Sequence, residues 1–170
     1  MACRPSRPLL SGRSARAWLA LLSFWLVGVA PPAPLELETL EGAPVILAPS
    51  PGRPLLVHFW ATWCPSCAEE LPALARASVA CAGTLEVALV DVDEDAGEIR
   101  RFLAERGVAL DSLRDPGGKV WRKRVGARGL PANLVFSADG ESRSELGPRS
   151  PEQWRSLFSE LGCEDTLLEP

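Results

Sequence analysis

This 170-residue chain has a single histidine, His58, and only five cysteines. Those scarcities exclude a good deal. A structural zinc site needs four Cys or His ligands, usually in two closely spaced pairs. Cys64 and Cys67 make one pair, but Cys81 and Cys163 stand alone, so there is no second. No internal repeat is visible, which removes solenoids and propellers. Basic residues are outnumbered once the start of the chain is set aside. The first 30 residues hold Arg4, Arg7, Arg13 and Arg16 and no acid; the rest holds 14 basic and 22 acidic side chains, about −8 net. An acidic body argues against nucleic acid, because phosphate binding needs clustered Lys and Arg. Nor does any apolar run reach the ~20 residues of a membrane-spanning helix.

The longest such run, Ala17 to Ala30, follows the four arginines and has the pattern of an export signal. Its 14 residues would span roughly 21 Å as a helix, short of a ~30 Å hydrocarbon core. Length favours a cleaved signal peptide. Pro31 directly after the small-residue site, and Pro34 after Ala33, favour an uncleaved anchor. Both remain open. Cys3 precedes the run, so it is misplaced for lipoprotein processing. Residues 1–34 are set aside as export segment and Pro-rich tether, 35–163 as one domain, and 164–170 as a tail. On the exported side, disulfides persist.

Within the domain, Leu35 to Leu40 alternates apolar and acidic residues, the period of a half-buried strand. Glu41-Gly42 reads as a turn and Val45 to Leu47 as its return strand. Leu55 to Trp60 is apolar except for His58, as in a strand buried on both faces. A helix should open near Cys64 or Pro65, with Leu71, Leu74, Ala75, Ser78 and Val79 inward and a kink at Pro72. Leu85 to Val92 is a strand. Asp95 and Glu98 cap a helix bearing Ile99, Phe102 and Leu103, which Gly107 ends. Lys119 to Val125 is a short helix. Pro131 to Phe136 and Glu141 to Leu146 are strands joined at Asp139-Gly140. Ser150-Pro151-Glu152-Gln153 starts a helix carrying Trp154, Leu157, Phe158 and Leu161. The order β-β-β-α-β-α-α-β-β-α predicts an α/β domain with a central mixed sheet, helices on both faces and an extra N-terminal hairpin.

Cys64-Pro65-Ser66-Cys67 lies between the buried strand and the helix, a context in which CxxC is informative. The first helical turn has unpaired N–H groups and a partial positive charge. Both stabilise a Cys64 thiolate, the nucleophile in disulfide exchange. Cys67, three residues on, lies on the same side and can resolve the mixed disulfide. Pro65 gives up an N–H that would be unpaired anyway.

The stretch Phe59-Trp60-Ala61-Thr62-Trp63-Cys64-Pro65-Ser66-Cys67 resembles the active-site segment of the TlpA/ResA-like thioredoxin superfamily. Glu70 and Pro72 extend the likeness, as do Gly129-Leu130-Pro131 and Asp139-Gly140. The resemblance covers roughly residues 35–162. It implies a thioredoxin-like fold, no cofactor or metal, and an exported thiol–disulfide oxidoreductase. Members commonly act as reductases on exported protein dithiols or disulfides, including heme-attachment cysteines of cytochrome c. An electron-donating redox partner, in some cases a membrane protein, resets them. The location implied is periplasmic or cell-envelope. Pro131 takes the position of a cis-proline facing the disulfide, leaving the Leu130 backbone free to pair with substrate. Trp63, Pro65 and Leu130 are the expected substrate contacts. Glu94 aligns with an acid that moves protons to and from Cys67; the competing expectation is a solvated loop. His58 stands where Asp or Asn is usual. Protonated, it would favour an oxidant; neutral, a proton relay or a hydrogen-bonded core residue. Alternatives of function are a DsbA-like oxidase and a copper(I) chaperone using the two cysteines. A peroxide reductase is disfavoured by the lack of a Pro-x-x-x-Thr-x-x-Cys stretch. Cys81 and Cys163, near the ends of two helices, either bridge a loop of about 80 residues, a gain of roughly 4 kcal/mol, or remain apart as thiols.

Overall fold

A computed structural model describes residues 32–164 except Asp93 and Ala127. The basic start, the apolar run 17–30 and residues 165–170 of the tail lie outside the described residues. No helix among those described is long and apolar enough to cross a membrane.

Seven strands form one sheet in the order β2-β1-β5-β4-β3-β6-β7. The hairpin of β1 (Leu35–Glu38) and β2 (Pro44–Leu47) is antiparallel. Leu35 and Leu37 are buried and Glu36 is exposed, as the alternation requires. β1 stops at Glu38 rather than Leu40 because the Thr39 hydroxyl accepts the N–H groups of Glu41 and Ala43 and closes the turn. β3 (Leu55–Trp60) is buried along its whole length. It runs parallel to β4 (Glu86–Asp91) and antiparallel to β6 (Ala132–Phe136), and β7 (Ser142–Leu146) closes that edge. β5 (Ser112–Arg114) has no counterpart in the sequence reading. Three residues, one of them apolar, carry no periodicity; the strand exists because Leu89 to Asp91 of β4 offers a parallel ladder. An ion pair between Arg114 and Glu38 at 3.7 Å then ties it to β1.

Helix α1 (Pro65–Ala80) connects β3 to β4, and α2 (Ala96–Glu105) connects β4 to β5. Two right-handed crossovers in the same direction place both helices on one face. The contacts agree: Trp60 of β3 packs on Phe102 of α2, and His58, two residues earlier on the same side, meets Trp154 of α4 (Pro151–Glu160). Asn133 pairs with His58, so Phe136 projects from the other face. There α3 (Lys119–Val125) lies alone, with Arg124 over the Phe136 ring. Among the described residues, α-helices therefore cover both faces, three against one.

α1 runs through Pro72 without ending. Its buried stripe of Leu71, Leu74, Ala75 and Ser78 moves on to Cys81, so Val79, expected inside, sits at the solvent edge, 63% exposed. α4 has the capping box that its sequence announced: Gln153 N–H reaches the Ser150 hydroxyl, and the Gln153 side chain accepts from Ser150 N–H. Cys81, capping α1, is bonded to Cys163 beyond α4, both buried, with Cα atoms 5.7 Å apart.

Candidate active site

The site is assembled where β3 hands over to α1. Trp60 is the last residue of the strand, and Cys64 N–H donates to the Ala61 carbonyl, folding the chain into a turn. Cys64 is the N-cap of α1 and Pro65 its first residue. The Cys67 N–H points at Cys64 Sγ at 3.2 Å, the backbone donor that the sequence argument placed there. Cys64 and Cys67 are joined as a disulfide, with Cα atoms 5.3 Å apart. The Ser66 hydroxyl lies 3.6 Å from Cys64 Sγ. Trp63, beside the disulfide, is 65% exposed, an unusual placement for an indole away from an interface. Pro65 is exposed as well.

The Leu130–Pro131 peptide bond is cis. β6 begins one residue later, at Ala132, and the Leu130 backbone makes no hydrogen bond to another described residue. Leu130 is half-buried and Pro131 buried.

His58 is fully buried one face-layer beneath α1. Its Nδ1 lies 2.9 Å from Asn133 Oδ1. That oxygen can only accept, so Nδ1 carries the proton and Nε2 presents a lone pair. Nε2 lies 3.6 Å from Glu70 Oε1, too long for a formed hydrogen bond. Burial holds the His58 pKa down to about 4, against the pull of its Asn133 bond. The ring is therefore neutral at neutral pH, and the cationic form considered from the sequence is not populated there. Glu70 sits one helical turn after Cys67, on the same side of α1, and is 4% exposed. Burial pushes its pKa up to about 7, even though the Arg149 N–H donates to Oε2 at 2.8 Å and the Arg149 charge favours ionisation. A cleft of about 310 Å³, lined by Ser66, Glu69, Glu70, Ala73 and the Pro148–Pro151 turn, leads solvent to that carboxyl.

In the sequence Glu70 stands out only as part of a motif, not as a titrating group. The available signal was its spacing: an acid three residues after Cys67, within the buried stripe that contains Leu71 and Leu74, must be desolvated. Glu94 follows β4 and lies beside the loop that leads into Cys64. Its carboxylate accepts the Thr62 N–H at 2.6 Å and also the Thr62 hydroxyl. Glu94 N–H in turn donates to Asp91 Oδ1 at 2.9 Å, and Arg114 Nε to the Glu94 carbonyl at 3.0 Å. Glu94 thus grips the loop two residues before Cys64. Asp91 is buried at the end of β4, where desolvation and the neighbouring Glu94 carboxylate push its pKa up to about 8.

Comparison with known proteins fits this arrangement. Soluble secreted antigen MPT53 of Mycobacterium bovis is 32% identical over 104 residues, 61% of this chain and 59% of that protein. The chain thus spans about 59% of the length of that relative. The sporulation thiol-disulfide oxidoreductase A of Bacillus subtilis is 24% identical over 167 residues, covering 89% of this chain and all of that one. Among solved structures, a secreted Mycobacterium tuberculosis disulfide oxidoreductase homologous to E. coli DsbE superposes with a TM-score of 0.64 and 26% identity, over 76% of this chain and 96% of that one. The AhpC/TSA family matches residues 28–143, more than half of the sequence, and the chain belongs to that family, with a thioredoxin-like fold.

Proposed function

We propose that this chain is an exported thiol–disulfide oxidoreductase that works as a reductase, with Cys64 attacking and Cys67 resolving. In the reduced enzyme the Cys64 thiolate attacks one sulfur of a substrate disulfide. The substrate S–S bond breaks, a mixed disulfide forms on Cys64, and one substrate thiolate leaves. Cys67 then loses its proton and attacks Cys64 Sγ, expelling the second substrate thiolate. Two electrons pass from the enzyme dithiol to the substrate, and the two thiol protons end on the substrate sulfurs. The observation that carries the reading is the Cys67 N–H directed at Cys64 Sγ from the first turn of α1. That geometry stabilises negative charge on Cys64 and keeps Cys67 in range.

Glu70 is the acceptor for the Cys67 proton in this scheme. Its raised pKa matches it to proton transfer near neutrality, and the cleft beside it connects it to water. His58 faces the other side of Glu70 as a neutral ring, 3.6 Å away. A cationic His58 would have stabilised the thiolate and favoured an oxidant; the neutral ring favours the reductase direction. Glu94 positions the Thr62–Cys64 loop. Trp63 and Pro65 form the exposed lip on which substrate lands, and the Leu130 backbone beside Pro131 pairs with an extended substrate segment. Residues 1–34 act as export segment and tether, with 17–30 inserted in the membrane; 35–163 is the catalytic domain, and 164–170 a tail. Substrates are disulfides of exported proteins, those between cytochrome c heme-attachment cysteines among them, and a membrane electron donor resets the pair.

The test is the reduction potential of the Cys64–Cys67 pair against glutathione and dithiothreitol buffers, with mixed-disulfide trapping. A value near −270 mV supports a reductase, whereas one near −120 mV reverses the direction. Cys67→Ser should accumulate a substrate adduct on Cys64, and Cys64→Ser none. Adducts in both variants would remove the assignment.

A further inference from the structure

Positive charge in the folded domain is concentrated where the proposed chemistry does not use it. Residues 116–138 contain Lys119, Arg122, Lys123, Arg124 and Arg128 and no acid, in a body that is acidic elsewhere. Both lysines of the chain are in α3. Lys119, Arg122, Lys123 and Arg128 are exposed. The nearest preceding acid, Asp115, is buried, with its oxygens committed to the Val120 and Trp121 N–H groups. α3 is also the one helix on its face of the sheet among the described residues, so no neighbouring helix covers its outer side.

The tether arrives at this helix. Arg124 Nη1 donates to the Ala33 carbonyl at 3.0 Å. A cleft of about 280 Å³ lies between the two, lined by Ala33, Pro34 and Glu36 on one side and Lys119, Lys123 and Arg124 on the other. Glu36 is the single carboxylate in it. Ala33 follows the last residue of the apolar run by three positions. At no more than ~3.6 Å per residue, the three positions from the end of the run to Ala33 add a chain length of at most about 11 Å. That distance is close to the ~8 Å screening length of physiological salt.

We propose that the exposed face of α3, with Arg128, docks on anionic lipid headgroups and lays this side of the domain against the membrane. Charge complementarity selects the surface, since the acidic remainder is repelled by the same headgroups. The short tether selects a bilayer over an acidic protein, because it holds the cluster at headgroup depth once residues 17–30 insert. α1 and the Cys64–Cys67 disulfide then lie on the far side of the sheet from the lipid. The inference rests on the proposed insertion of residues 17–30, and the experiment separates the two.

The full chain is mixed with vesicles of phosphatidylcholine alone, or with about one-third phosphatidylglycerol. Flotation on the neutral vesicles reads insertion. Acylation of Lys119 and Lys123 by an amine-reactive ester, followed by mass spectrometry, reads docking. The amine introduced by Ser156→Lys, exposed on α4 across the sheet, is the internal reference. Docking predicts that Lys119 and Lys123 react at least about fivefold more slowly on the anionic vesicles, that the reference amine does not, and that high salt restores the rate. The triple variant Lys119→Gln, Lys123→Gln, Arg128→Gln should lose about 100-fold of the anionic increment in partitioning, with neutral flotation unchanged. Equal retardation of all three amines, or none, overturns the docking surface and points to an acidic polypeptide partner. Failure to float on neutral vesicles removes the insertion alone; slower lysine reaction on anionic vesicles would still support docking.

Discussion

Removing the Cys81–Cys163 bridge tests how the two helices over the active site are held together. The bond joins the C-cap of α1 to the residue two past the C-cap of α4, across 82 positions. Closing a loop of that length in the unfolded chain corresponds to about 4.5 kcal/mol in the chain-entropy model, against about 2 kcal/mol for the four-residue loop of Cys64–Cys67. Both sulfurs are buried, so the pair should also resist reductants that open the active disulfide. The assay is guanidinium unfolding of the oxidised protein and of the double variant Cys81→Ala, Cys163→Ala, with the active pair intact in both. The variant should lose about 4 to 5 kcal/mol, equivalent to a melting temperature lower by roughly 15 °C. Disulfide exchange on a model substrate, measured well below the transition, should stay within about twofold, because neither cysteine touches the reacting sulfurs. A loss below about 1 kcal/mol would refute the argument, since it would mean that the unfolded state is not restricted by the bond. Loss of exchange without loss of stability would place the second pair in the redox relay instead.

The buried carboxyls make further predictions. Glu70→Gln should lower exchange about 10- to 100-fold near pH 7 and remove a kinetic pKa close to 7 from the pH–rate profile, while Cys67→Ser trapping persists; an unchanged profile would take Glu70 out of the proton path. Asp91 has a folded pKa above its unfolded one, so its contribution to stability is full below the ordinary carboxylate range and is lost as pH rises through about 8. Glu70 undergoes the same loss as pH rises through about 7, with only about 0.4 kcal/mol left to lose above it, and His58, whose pKa is lowered, acts only at acid pH and with the opposite sign. Unfolding free energy should therefore fall by about 1.5 kcal/mol between pH 7 and 8.5 in the native chain and by only about 0.4 kcal/mol in Asp91→Asn, as chemical denaturation at the two pH values will show. Glu94→Ala removes both Thr62 contacts and should slow substrate attack several-fold while the reduction potential shifts little; a large change in potential would mean that Glu94 acts on the sulfurs directly.

Most of the architecture could be read from periodicity because the strands and helices are strongly patterned. β3 was legible as a six-residue apolar run, β1 as a two-residue alternation, and α4 from its Ser-Pro-Glu-Gln start. β5 was not, since a strand of Ser-Leu-Arg owes its existence to neighbours distant in sequence, which local propensity does not encode. Val79 was misplaced for a related reason. A helical stripe predicts the centre of the buried face well and its margins poorly, and the margin here is set by where Cys81 is pulled under α4.

The Cys64–Cys67 pair was legible because its placement is local: a strand end, a helix start and three residues of spacing fix it. The buried polar groups around it are a different case. His58 is on β3, Asn133 on β6, Glu70 on α1 and Trp154 on α4, and only the closed sheet with two helices packed over it brings them together. Whether His58 is charged depends on that closure, as does the ionisation of Glu70. An isolated histidine near the first cysteine is equally compatible with an oxidant and with a reductase; burial against Asn133 is what makes it neutral. By the same logic His58→Asn should leave the direction of exchange unchanged, because it replaces one neutral group with another. Its effect should appear as a shift of the Glu70-dependent kinetic pKa, since Glu70 loses the base that faces it. Measuring that pKa in His58→Asn beside the potential separates the two roles: a moved pKa with a constant potential fits the neutral partner, and a potential lowered by tens of millivolts would show that the ring carried charge after all.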